Sequence, residues 1–256
     1  MLMTQSRDTL NRIVVLNPKG GCGKSTIATN IAAYYASRGG TPAIMDFDPQ
    51  GSTLAWLERR PTDLPFIHGI AAFKKSMQAT RSWQLRVPND TANLIVDSPA
   101  GLHHDDLREI TRDATSILVP VLPSPMDIHA AARCIADLLL VAKVDRRDRK
   151  LAVIANRTRK NTKSFAKLMR FLDSLGIPII AVLRDSQNFV YAAEKGLGIL
   201  EMQRSRVRPD VEQFNKVMQW LDEWPERRRN SNNEAGMRRS PFAKIAFLHK
   251  PHTGTT

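Results

Sequence analysis

The stretch 17-NPKGGCGKST-26 decides how the rest of the chain reads. The pattern G-x-x-x-x-G-K-[ST] marks a loop whose backbone N–H groups cradle phosphates, and Lys24-Ser25 match its end. Its first glycine would fall where Pro18 stands, and a second lysine, Lys19, follows. The apolar run 12-RIVVLN-17 enters as a strand, and Lys24-Ser25-Thr26 open a helix expected over 24–37. Between them Gly20, Gly21 and Gly23 let amide groups turn inward around phosphate oxygens, and the helix N-terminus adds a favourable dipole. Gly20, Gly21, Cys22, Gly23, Lys24, Ser25 and Thr26 are therefore the expected nucleotide cradle. Lys24 falls on the β- and γ-phosphates and the Ser25 hydroxyl on Mg²⁺.

Outward from the loop, short β-branched runs alternate with helical patterns. Further strands are expected at 43-AIMDF-47, 93-NLIVD-97, 116-SILVPV-121, 151-LAVIAN-156 and 178-PIIAVL-183. Helices are expected at 128–142, 162–175 and 209–221, each with one apolar face. Such alternation implies an α/β fold of the P-loop NTPase kind: a doubly wound, mostly parallel sheet with helices on both faces and ligands at the C-terminal strand ends. Residues 1–224 read as one domain. From Pro225 the composition turns polar and basic, so 225–256 read as a disordered tail.

Two further motifs sit at strand ends. In 46-DFDPQGS-52, Asp46 and Asp48 are two residues apart and point to the same side; one suits an attacking water, the other a metal-bound water. The same residue types also favour a plain turn. In 94-LIVDSPAG-101, Asp97 ends a buried strand and is placed to hold the Mg²⁺ hydration shell, with a flexible loop after it.

Taken in order, K-G-G-x-G-K-[ST], D-x-D-P-Q-G and hhhD-x-P-A-G resemble the ParA/MinD family of deviant Walker ATPases, over about residues 12–221. The resemblance implies ATP and Mg²⁺ as cofactors and a homodimer formed on ATP binding. It makes Lys19 a signature lysine that reaches across the dimer to the partner's phosphates, and Asp48 the carboxylate that positions water, with Asp46 supporting the metal region. Lys19, Asp48 and Lys24 are then the catalytic set, Ser25, Asp46 and Asp97 the metal set. Asn156, in the strand end 154-IANR-157, is placed against adenine by the same resemblance; Arg157 belongs either to that pocket or to a basic surface. Asp127, after Pro125, reads as a helix N-cap. Cys22 stands where the family often has valine, and nearby lysines and the helix N-terminus favour a depressed thiol pKa, so a thiol reagent is expected to block nucleotide binding.

Charge points to a partner. With 38 Lys+Arg against 25 Asp+Glu the net charge is +13, and eleven basic residues crowd 143–170. On a helix from about 162, the positions of Lys160, Lys163, Lys167 and Arg170 fall on one arc opposite the apolar face. With Arg159 they form the expected DNA surface, of phosphate contacts without base reading. The resemblance adds an adaptor protein that stimulates slow hydrolysis and a cargo moved over the nucleoid. The set 50-QGSTLAWLERRP-61, DSPAG and LPSPMD is similar to short ParA-like proteins that position assemblies such as carboxysomes or chemotaxis clusters, and plasmid or chromosome partition stays open beside that cargo.

Other readings are weaker. A MinD-like membrane protein would need an amphipathic C-terminal helix, and 242-FAKIAFLHK-250 divides its polar and apolar faces poorly. An iron protein would need two cluster cysteines after 97, where only Cys134 lies, and a metabolic enzyme of this fold would leave the basic helix unexplained. The N-terminus MLMTQSRDTLNR has no signal-peptide core, and no apolar run reaches the roughly 18 residues of a membrane span, so the expected location is cytoplasmic and nucleoid-associated.

Overall fold

The structure is a computed structural model and describes residues 10–73, 87–102 and 104–225. Residues 226–256 of the tail, with the segment 242-FAKIAFLHK-250, lie outside the described residues.

Seven strands form one parallel sheet: β1 (Asn11–Val15), β2 (Ala43–Asp46), β3 (His68–Ala71), β4 (Asn93–Asp97), β5 (Ser116–Val121), β6 (Leu151–Thr158) and β7 (Ile179–Arg184). Their order is β3-β2-β4-β1-β5-β6-β7. The chain leaves β1 for β2 and β3, returns to β4 beside β1, then crosses to β5 and continues outward. Helices α1 (Lys24–Ser37) and α7 (Arg204–Asp222) contribute to the core on one face, with α2 (Ser52–Glu58) beside α1. Helices α3 (His104–Thr111), α4 (Pro125–Leu140) and α5 (Lys163–Ser174) pack on the other. Helix α6 (Gln187–Glu194) follows β7.

Both faces are covered, so the central strands are apolar on both sides. Ile13 and Val15 enter the core under α1 and α7, while Val14 and Leu16 enter the one under α4 and α5. Strict alternation is absent from the sequence for this reason. Among the described residues no helix is long and apolar enough to cross a membrane.

Several boundaries differ from the sequence reading, with local causes. Helix α4 begins three residues early because Ser124 caps it and Pro125 sits at its first position, where a missing N–H costs nothing. Helix α7 begins at Arg204, so Pro209 lies within its second turn instead of starting it. Strand β3 was not among the expected strands. It carries Gly69, which weakens a strand signal in sequence; there a Cβ would stand 2.8 Å from the tip of the Leu57 side chain, so α2 packs close over the strand.

Candidate functional site

The C-terminal ends of β1, β2, β4, β6 and β7 open on one crevice of about 1070 Å³. It is lined at one end by Gly20, Gly21, Lys24, Ser25, Asp48 and Pro99. Gly23 takes φ 96, and a Cβ there would lie 2.3 Å from Asn156 Nδ2, so glycine is required both by conformation and by contact. The Asn156 amide donates from Nδ2 to the Cys22 carbonyl at 2.8 Å. Expected at adenine, Asn156 thus braces the phosphate loop, with its Oδ1 still able to accept from a base.

Lys24 is 6% exposed and donates from Nζ to the Lys19 carbonyl at 3.1 Å. The loop entrance is held by residues the sequence reading did not use. Asn17 accepts from the Lys19 N–H at 2.9 Å and donates from Nδ2 to the Pro120 carbonyl at 2.7 Å. The Gly101 N–H donates to the Pro18 carbonyl at 2.8 Å, tying the loop after β4 to the phosphate loop. The bonds to Pro120 and from Gly101 carry no sequence signature, because each joins segments that meet only in the fold.

Asp46 and Asp97 end neighbouring strands in register. Their surroundings differ. The Asp46 carboxylate accepts from the Asp48 N–H at 2.9 Å, from the Thr53 N–H at 3.2 Å and from the Thr53 hydroxyl at 2.6 Å, so its oxygens hold the loop that presents Asp48. Asp48 accepts from the Gln50 N–H at 3.0 Å and lines the crevice; the turn it begins ends at Gly51, the N-cap of α2. Asp97 is fully buried, and neither of its carboxylate oxygens, nor the Ser98 hydroxyl, has a hydrogen-bond partner among the described residues. Burial pushes its carboxyl up to about 7, against the pull of the nearby Ser25 hydroxyl. An orphaned carboxylate beside the Ser25 side chain fits Mg²⁺, which takes one or two protein oxygens and completes its shell with water and phosphates.

Two expectations are corrected. The Cys22 thiol is not activated: the side chain is fully buried beneath the loop and Sγ donates to the Lys19 carbonyl at 3.3 Å. Burial raises its pKa, and the charge of Lys24 only partly offsets this. Asp127 is not the N-cap of α4. Ser124 is, its Oγ accepting from the Asp127 N–H at 3.2 Å. The signal was present in 124-SPMD-127, a cap followed three residues later by an acid. The Asp127 carboxylate instead receives the Lys19 ammonium at 2.9 Å.

The other end of the crevice is lined by Arg157, Arg184, Asp185, Ser186, Phe189 and Val190. Of these only Arg157 was singled out from sequence; the rest follow β7, whose C-terminal end was the one available pointer. Arg157, at φ 49, and Arg159 both donate to Asp185, at 3.4 Å and 2.8 Å, and with Arg159 the stronger influence they hold that carboxyl below its usual range. Arg159 therefore enters the expected basic surface already paired. Lys160 stands in the turn before α5, while Lys163, Lys167 and Arg170 are exposed on the helix, opposite the buried Leu168 and Leu172.

Comparison with known proteins agrees with this geometry. Residues 13–199 match the family described as the CobQ/CobB/MinD/ParA nucleotide binding domain. The chain is 26% identical over 211 residues to the maintenance of carboxysome distribution protein A of Halothiobacillus neapolitanus, covering 80% of this chain and 94% of that one. Among solved structures, a Borrelia burgdorferi putative plasmid partition protein bound to AMPPNP matches with TM-score 0.63 at 12% identity, covering 84% of this chain and 99% of that one. An aspartate-to-alanine variant of McdA from Cyanothece, in complex with ATP, matches with TM-score 0.62 at 15% identity over 84% and 97%.

Proposed function

The chain belongs to the CobQ/CobB/MinD/ParA nucleotide-binding family, and from that premise we propose that it is an ATP-driven dimerising switch. In this reading it binds DNA without sequence preference and distributes a protein assembly of the carboxysome kind over the nucleoid. The observation that carries the reading is the inequality of two lysines in one loop. Lys24 is buried within the glycine loop, whereas Lys19 keeps a third of its side chain exposed. A second ammonium at the rim has little to add within its own site, and it is placed to meet the triphosphate of a second copy.

The residues then divide the work. Gly20 to Thr26 hold the phosphates, with Lys24 leaving the Lys19 carbonyl to reach them. Ser25 and Asp97 hold Mg²⁺, which when bound neutralises charge on the transferred phosphoryl group. Asp48, oriented by Asp46, positions the attacking water, and Asn156 keeps the loop shaped while its Oδ1 faces the base. Hydrolysis is slow because the loop itself offers no arginine finger beyond Lys19, and an adaptor protein accelerates it. Lys163, Lys167, Arg170 and Lys160 contact DNA phosphates. Residues 1–224 carry the switch, and 225–256 form a basic tail outside it. The names of the relatives support a positioning role, and the carboxysome relative supports this class of cargo.

Light scattering and DNA retention with ATP test the reading. Lys19→Ala is expected to bind ATP and remain monomeric; an ATP-dependent dimer of this variant would sink the cross-subunit role. DNA affinity is expected to fall steeply with salt, and each of Lys163→Ala, Lys167→Ala and Arg170→Ala to flatten the slope by about 0.9 log units per log unit of salt. A salt-independent affinity would remove DNA as the partner.

A further inference from the structure

The Lys19 ammonium has an acidic partner within its own subunit. It lies 2.9 Å from Asp127 Oδ2, across 108 residues of sequence. The two sides of this pair are buried very unequally, with side-chain exposures of 33% for Lys19 and 5% for Asp127. Oδ2 also accepts from the Ser124 hydroxyl, while Oδ1 is buried with no hydrogen-bond partner among the described residues. Lys19 is thus the cation that compensates a carboxylate sunk in the first turn of α4. Its own end of the pair stays open to solvent and to whatever approaches the rim.

We propose that Asp127 is a positioning residue that docks Lys19 inside its own subunit, so that dimerisation requires a ligand able to draw the ammonium away. This rests on the reading that Lys19 crosses to the partner's phosphates. The asymmetry of burial supplies the physics. A lysine that leaves a hydrated partner loses little, but one that leaves a buried carboxylate strands a charge whose remaining partner is a hydroxyl. The docked state therefore sets a threshold. A triphosphate with its extra charge exceeds it, and a diphosphate does not. The same contact holds the Lys19 backbone in place, since its carbonyl receives the Lys24 ammonium and the Cys22 thiol. Undocking Lys19 and freeing Lys24 for phosphate are movements of one short segment.

The test uses the full chain and measures two quantities: the ATP concentration giving half-maximal dimer by light scattering, and the rate at which an amine reagent modifies Lys19 without nucleotide. Asp127→Asn keeps the shape and removes the charge. It is expected to lower the half-maximal ATP concentration roughly tenfold and to speed modification of Lys19. Ser124→Ala, which removes the hydroxyl that would remain on the stranded carboxylate, is expected to act in the opposite direction and raise the ATP requirement several-fold. An unchanged or raised requirement in Asp127→Asn would overturn the proposal, as would a lowered requirement in Ser124→Ala. A merely structural Asp127 would leave the Lys19 modification rate untouched. Failure of the underlying reading shows separately, because Lys19→Ala would then still dimerise with ATP.

Discussion

Asp97, at the end of β4, and Asp127, in the first turn of α4, are both carboxylates sunk beside the phosphate loop. They are 0% and 3% exposed, and each has an oxygen without a hydrogen-bond partner among the described residues. Only Asp127 is given a cation by the chain, the ammonium of Lys19. Asp97 has no ion pair there, and its burial shows as a carboxyl pushed up to about 7. The contrast teaches that burying a carboxylate has two uses. The unpartnered oxygens of Asp97 suit a cation brought by a ligand, whereas Asp127 already has one in Lys19.

The largest effect that could break this contrast is on hydrolysis. Asp97→Asn removes the charge that would hold Mg²⁺ and is expected to lower Mg²⁺-dependent ATPase turnover roughly a hundredfold or more. Near-normal turnover would place the metal elsewhere. Stability against pH comes next. A carboxyl whose folded pKa is raised from 3.8 to about 7 keeps a proton that the unfolded chain releases, so its burial penalty is absent below about 4 and grows as pH rises through 7. Without Mg²⁺, the wild-type Tm is expected to fall over that window and Asp97→Asn to flatten the fall; parallel curves would remove Asp97 as the cause. At pH 8 the two amides should then separate in sign. Asp97→Asn is expected to raise stability by about 1–3 kcal/mol, and Asp127→Asn to lower it by about 1 kcal/mol, a modest figure because Lys19 is partly hydrated. Chemical denaturation measures both, and shifts of the same sign would erase the distinction. The smallest effect is expected at Cys22, where brief exposure to a thiol reagent should leave ATP affinity within about twofold, since the thiol is buried and protonated. Rapid modification in the folded protein would reverse that account.

Much of the fold was legible because its signals are local. Gly20 to Ser25 specify a turn into a helix by their own backbone preferences, and α1 runs over 24–37 as expected. Asp97 was legible as the last residue of an apolar strand. The far end of the crevice was not, since Asp185, Ser186 and Phe189 belong to no short pattern and become a lining only when β7 lies beside β6. Cys22 was misread for a related reason. Its neighbours in sequence are cationic and helical, which favours a thiolate, but its side chain points beneath the loop, and desolvation outweighs the nearby charge.

By itself the sequence determined the shape of the glycine loop and the order of six of the seven strands, because glycine conformation, helix capping and hydrophobic runs act between near neighbours. It also determined that two lysines, Lys19 and Lys24, stand in one loop. Tertiary structure decided what each of them touches. Lys24 became buried against a carbonyl, Lys19 found an acid 108 residues away, and the Asp97 oxygens found no hydrogen-bond partner among the described residues. The reason is that the worth of a charge depends on the solvent and the counter-charge around it, and folding sets both.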